Sequence, residues 1–432
     1  MQIVKLHREK APDFHTIKKL SVLVPERVVA KNGIPIYLFP IQDQEIVKVD
    51  FVFDAGNFIQ SQSPLTPLST LAMLQEGSLT QSGEQIAERL DFLGSYMYTQ
   101  STKDASIISV CCLEKYLAET IKIVADFITT PTFPDDNFQT HIRKREERYK
   151  VDNERVEIVS QRKMNAILFG ETHPYGQNAS LSDFSNLSIA ELQSFYSKNY
   201  VSENCSIVVC GNPKSSEIKN LIEMLKHNDI QKKSKKIKEN TDWTLHSNEQ
   251  RKYYIEKENA VQSSINIGKI VVNRNHQDFV QLQVLNTILG GYFGSRLMSN
   301  VREDKGFTYG IGSGIISYKK AGYFLITTRV GKNVVEPALE AIYYEMKKLR
   351  ENLVPQEELE MVKTYMLSTL VRNFDGALAT SEMFRNTIGY DLEFETYSQN
   401  YWRTIQHIKS EKLIDLANKY FTEDSMYEVV VG

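Results

Sequence analysis

The sequence predicts an α+β chain of two homologous domains, each an antiparallel-rich sheet with helices packed on one face, and three observations predict it. Two blocks about half a chain length apart carry the same order of parts. Strand-like runs alternate irregularly with paired helical patterns, as in sheets covered by helices on one side. The 432 residues are too many for one ordinary core.

Each half opens with short strands. In the first half these are IPIYLFPI from Ile34 and VKVDFVFDAG from Val47; in the second they are RKYYIEKE from Arg251 and INIGKIVV from Ile265. Next in the first half comes KDASIISVCCLEKYLAETIKIVADFITTPTFPDDNFQTHI, from residue 103. It reads as strand, short turn, amphipathic helix, proline break, acidic cap and helix. In the second half KAGYFLITTRVGKNVVEPALEAIYYEMKKLRENLVPQEELEMV, from residue 320, keeps that order. Ile107, Ile108 and Val110 match Phe324, Ile326 and Thr328 as strand residues. Leu117, Ile121, Val124 and Phe127 fall at helical spacing, as do Ala338, Ile342 and Met346. Asp135 and Asp136, like Glu357 and Glu358, fall in a first helical turn, where carboxylates suit the helix dipole. An internal duplication follows, far longer in period than a solenoid repeat. The lysine-rich stretch from Lys226 reads as a solvated connector. The expected divisions are residues 1–225, a linker at 226–250, and residues 251–432.

Composition narrows the class. Apolar residues are 41% and charged residues 24% of the chain, ordinary globular usage. A net charge of −3 with dispersed Lys and Arg argues against nucleic-acid binding. No apolar run approaches the roughly 20 residues of a membrane span. The opening MQIVKLHREKAPDF lacks a hydrophobic signal core, so a cytoplasmic location is expected. The four cysteines lie in SIISVCCL and CSIVVC without any C-x-x-C, and read as reduced, mostly buried thiols.

The chemistry-bearing segments come after VKVDFVFDAG and in the second half. The first has Asp54-Ala55-Gly56, then Pro-Leu, a helix, Gly77-Ser78, the helix ERLDFLG and a strand with polar residues. The second is NTILGGYFGSRLMSNVREDKGFTYGIGSGI, residues 286–315, with an L-G-G turn, S-R-L and R-E-x-x-G-x-x-Y. Together, in order and spacing, they resemble the pitrilysin/insulinase family of zinc metallopeptidases over nearly the whole chain, from about Val28 to the terminal strand MYEVVVG. The resemblance implies half of a clam shell.

In active members of that family the first helix carries H-x-x-E-H: two histidines one turn apart bind zinc and the glutamate is general base. Anchored on Gly77, those positions hold Leu68, Leu71 and Ala72 here, and no histidine occurs between His15 and His141. Apolar side chains cannot coordinate a cation, so the chain is expected to hold no metal. With Leu74, Leu68 and Leu71 fall at core spacing, which makes this a packing helix. His141, in HIRKREERY, falls roughly where a later glutamate ligand belongs and reads as a surface residue; His173, in HPYG, reads as structural.

What the resemblance keeps is the second segment. It implies that Arg302 and Tyr309 reach into a catalytic chamber from the opposite half-shell and donate hydrogen bonds to a substrate carbonyl or a developing oxyanion. Gly306 allows the turn between them; Gly290 and Gly291 allow close backbone approach, and with Ser295 they are candidate substrate-binding residues. The expected function is therefore that of a non-catalytic subunit, inactive alone. It would pair with an H-x-x-E-H subunit holding the zinc, enclose peptides and supply Arg302 and Tyr309 in trans. A homodimer is a further possible assembly. The alternative is a purely structural protein similar to respiratory-complex core subunits. Presequence recognition through a long glycine-rich loop is not expected, because LGGYFGSRL is short. An independent zinc-free enzyme has no nucleophile–base constellation behind it.

Overall fold

The computed structural model describes residues 19–41, 44–59, 63–232, 249–390 and 392–432. Most of the expected linker, residues 233–248, lies outside them. The first half runs β1 (Glu26–Val29), β2 (Pro35–Pro40), β3 (Ile46–Phe53), α1 (Thr66–Leu74), α2 (Gly83–Phe92), β4 (Tyr96–Ser101) and β5 (Ser106–Leu113). It continues with α3 (Leu117–Thr129), α4 (Asp135–Asn153), α5 (Val156–Phe169), α6 (Leu181–Asn186), α7 (Ile189–Asn199), β6 (Cys205–Gly211) and α8 (Ser216–Lys226). The second half runs β7 (Lys252–Ile255), β8 (Gln262–Val271), α9 (Phe279–Asn286), β9 (Ile311–Ser317) and β10 (Gly322–Gly331). It ends with α10 (Val335–Glu351), α11 (Gln356–Asn373), α12 (Gly376–Arg385), α13 (Phe394–His407), α14 (Ser410–Tyr420) and β11 (Tyr427–Val431).

Two sheets result, ordered β1-β2-β6-β3-β5-β4 and β7-β11-β8-β10-β9. Leaving β1 aside, they have one design. A parallel pair comes first, β2 with β6 or β7 with β11, and three antiparallel pairs follow. The two sequence blocks with the same order of parts are equivalent pieces of it: β5–α3–α4 and β10–α10–α11. Ile108 and Val110 face the first core with Ile121, Val124 and Phe127 of α3. Phe324 and Ile326 face the second core with Ala338, Ile342 and Met346 of α10. Ile107 points to the opposite side of its sheet, beside Val52 and Ala105, because neighbours in a strand alternate faces. An extended proline, Pro134 or Pro355, precedes α4 and α11, and carboxylates fill both first turns.

Besides the helices on its main face, each sheet receives one helix from the other half. Met164, Ile167, Leu168 and Phe169 of α5 pack on Tyr323, Leu325, Val429 and Val431 of the second sheet. Ala377, Leu378 and Phe384 of α12 pack on Phe39, Val208 and Cys210 of the first. This explains the unbroken apolar run of β6: Ile207 and Val209 lie in the main core while Val208 and Cys210 lie under α12. The exchange also covers a buried ionic cluster, in which Lys48 and Asp50 of β3 meet Glu382 and Arg385 of α12.

A second tie joins the halves at the β9–β10 turn. Lys319 Nζ lies 2.5 Å from Asp54 Oδ1, and the Lys319 N–H donates to Asp104 Oδ2 at 2.9 Å. Asp104 also accepts from the Tyr175 hydroxyl at 2.5 Å. Gly56 follows Asp54 because a Cβ there would stand 2.4 Å from the Ala105 nitrogen. All four cysteines are free; three are buried and Cys111 is half-buried. Burial pushes the Cys112 thiol up to about 11 and the Cys210 thiol up to about 12. Among the described residues no helix is long and apolar enough to cross a membrane.

Candidate functional site

Helix α1 is short because Pro67 sets its start and Gly77 follows its end. Leu71 and Leu74 enter the first core at 2% and 0% exposure. Leu68 and Ala72, four residues apart on one stripe, are only half-buried. Leu68 is thus less of a core residue than its spacing with Leu71 and Leu74 implies. The stripe that would display paired ligands carries a leucine isobutyl and a methyl group, which do not fit a metal ion. Among the described residues no group of three or more His, Cys, Asp and Glu side chains is placed to hold one.

Beside this helix lies α4, and here a sequence reading is corrected. His141 is not a free surface residue: it is half-buried, and its Nε2 lies 3.2 Å from Ser69 Oγ on α1. Desolvation, then the Arg145 charge one turn on, lowers its pKa to about 4. The ring therefore stays neutral through the physiological range. His173 behaves as a structural residue: it is 5% exposed, accepts the Tyr175 N–H on Nδ1 at 3.0 Å and stacks on Phe169.

The second segment starts where α9 widens. Residues Thr287–Gly291 and Met298–Asp304 form two turns of π-helix, a local irregularity that often marks functional sites. Gly290 is buried, and a Cβ on it would stand 2.6 Å from Ser313 Oγ and 2.8 Å from Ser313 N. Close packing against β9 demands this glycine. Gly291 is exposed. Ser295 is 1% exposed, so its expected substrate contact is corrected: its hydroxyl is buried and is not presented at the surface. Of the three candidate binding residues only Gly291 offers open backbone.

Arg302 and Tyr309 are held differently. The Arg302 guanidinium sits over the Phe293 ring at 4.8 Å and 3.8 Å from Glu303. Gly306, at φ +64°, closes the following turn, with its N–H donating to the Arg302 carbonyl at 3.2 Å. Thr308 then pins the chain to β10: its hydroxyl donates to the Arg329 carbonyl at 2.7 Å and accepts from Thr328 at 3.0 Å. Tyr309 therefore projects outward, 93% exposed. Among the described residues its hydroxyl makes no hydrogen bond. Phe293 and Thr308 escaped the sequence reading; the F of Y-F-G, an apolar residue in a polar turn, was the available signal. Arg296, within S-R-L, makes a two-bond fork to Glu358 of α11 at 2.9 and 2.8 Å and so anchors the segment.

The structure does not join the two groups. The contacts of α1 are to α4, α7, β4 and β5, whereas Arg302 touches Phe293 and Glu303 in the second half. Taken alone, the chain presents an α1 stripe without ligand side chains at one place, and at another Arg302, paired with Glu303, and the exposed Tyr309.

Residues 186–366 match the family model described as the Peptidase M16 inactive domain. An uncharacterized zinc protease of Bacillus subtilis is 24% identical over 82% of this chain and 84% of its own length. A probable inactive metalloprotease of the same organism is 23% identical over 71% of this chain and 73% of its own. In shape the chain is similar to a peptidase M16 inactive domain from Pseudomonas fluorescens, with TM-score 0.84 and 22% identity over 94% of this chain and 98% of that one. It is also similar to a protease from Helicobacter pylori, with TM-score 0.83 and 18% identity over 95% and 100% of the two chains.

Proposed function

The chain carries a peptidase M16 inactive domain, and from that premise we propose that it is the non-catalytic half of a two-subunit metallopeptidase. Its partner is an H-x-x-E-H subunit that supplies the metal. The present chain encloses peptide substrate and contributes Arg302 and Tyr309. One observation carries this reading. The positions of α1 that would carry ligands hold Leu68 and Ala72, while Tyr309 stands out of the fold at 93% exposure with no hydrogen-bond partner among the described residues.

The chemistry asked of this chain is modest. A phenol and a guanidinium both donate hydrogen bonds, and both strengthen toward an oxygen that gains negative charge. Arg302, braced on Phe293, and Tyr309, projected by Thr308, need little reorganisation to meet a carbonyl presented by the other half-shell. An exposed phenol contributes nothing to the fold, which supports a role outside this chain.

The test is a mixing experiment with an H-x-x-E-H subunit encoded in the same genome. Peptidase activity of the mixture should exceed that of the partner alone by ten-fold or more, and this chain alone should be inactive. A mixture no faster than the partner alone leaves only an interaction role without proteolysis.

A further inference from the structure

A cavity of about 320 Å³ opens between α9, α11, α12 and α13, close to the lower end of the roughly 300–1,000 Å³ range of ligand pockets. Phe279, Met366, Leu370, Phe374 and Phe394 give its wall an apolar and aromatic part, and Gln283 and Asn373 are among the polar residues between them. Exposed Gly291 lies on its lining, which connects it to the L-G-G turn.

Among the donors that line the same space, Arg274, Tyr397 and Tyr401 stand out. Arg274, in the loop between β8 and α9, donates from Nη1 to the Asn386 carbonyl at 2.7 Å and stacks on the Tyr390 ring at 5.1 Å. Its Nε is buried without an acceptor, and among the described residues no carboxylate pairs with its charge or lines the cavity. Tyr397 and Tyr401 line the cavity too, and among the described residues neither hydroxyl has a hydrogen-bond partner. Burial raises both phenols above their ordinary range, so both remain donors. A guanidinium and two phenols without partners among the described residues, lining one cavity with five apolar side chains, are complementary to a carboxylate with an apolar body.

We propose that this cavity binds an apolar carboxylate of about amino-acid size, namely the C-terminal residue of a peptide, with its carboxylate on Arg274 and its side chain among Phe279, Phe374 and Phe394. This rests on the peptide-handling reading above and gives it a direction: the peptide enters past Gly291 and is anchored by its end. A free small acid shares the chemistry.

The experiment uses the purified chain without any partner and a fluorescein-labelled hexapeptide ending in phenylalanine, as free acid and as amide. The free acid should bind at least ten-fold tighter than the amide, and 3-phenylpropanoate should displace it. Arg274→Gln keeps a donor for the Asn386 carbonyl and should abolish the preference for the acid. If that variant does not fold, Tyr401→Phe should weaken the free acid more than the amide at an unchanged melting temperature. Equal affinity for acid and amide overturns the proposal. Binding of 3-phenylpropanoate with no binding of either peptide also overturns it, and assigns the site to a free acid. A chain that stimulates its partner but does not distinguish acid from amide loses this cavity assignment and keeps its proposed function.

Discussion

His141 of α4 holds Ser69 of α1 across 3.2 Å, Nε2 to Oγ, and this contact ties α4 to the helix that carries Leu68 and Ala72. The seam is closed by a neutral imidazole, with Arg145 one turn further on α4. A cation sits badly beside a guanidinium, so the α4 side of the seam opposes a metal as the Leu68 and Ala72 side does.

That contact predicts a pH dependence. The folded chain titrates His141 and His173 at about 4, while the unfolded chain titrates both near 6.5. Between those values the unfolded chain binds more protons, so acidification through this window lowers stability. Thermal melts should fall by several degrees from pH 7 to pH 4.5. His141→Gln, which still reaches Ser69, should show a shallower loss; an identical pH profile would show that His141 is not held neutral.

The purified chain should contain well under one zinc per molecule by elemental analysis, because the α1 positions offer no lone pair. Stoichiometric zinc that survives dialysis would mean that other side chains form a site.

Gly290 and Gly291 should separate packing from binding. Alanine at 290 forces a methyl into Ser313 and should cost roughly 1–3 kcal/mol in denaturant unfolding. At 291 the nearest atoms are the Asn286 amide and Thr287 hydroxyl at 3.2 Å, which need shift only a few tenths of an ångström, so alanine should cost less than at 290. Equal costs at the two positions would contradict the close approach of Gly290 to β9.

The cluster under α12 predicts an asymmetry. Asp50 is 1% exposed and faces both Lys48 and Arg385, so Asp50→Ala leaves buried cations without their carboxylate and should cost roughly 3–5 kcal/mol. Glu382, whose side chain is 52% exposed, should cost under about 1 kcal/mol when changed to Gln. Urea titrations of the two variants read the difference.

What was legible in the sequence was local. Strand alternation in SIISVCCL and helical spacing at Leu117, Ile121 and Val124 depend only on neighbours along the chain, and they located β5, α3 and their counterparts β10 and α10. The exchange of α5 and α12 between sheets was not legible, since long-range packing decides which face a helix covers. Only the two-sided apolar run of β6 hinted at it. The motif match placed Ser295 in line with Gly290 and Arg302 but said nothing of side-chain direction, and Ser295, between the two π-helical turns, is buried. His141 was misread for the same reason: its charged neighbours along α4 point to solvent while it points to Ser69.

The most direct test of the central claim is the turnover of the assembled pair carrying Tyr309→Phe, measured at saturating peptide beside the amount of complex formed. The account predicts unchanged assembly and a kcat lower by about 10²-fold, the lower end of what one lost transition-state donor costs. Full turnover by the variant complex would contradict it.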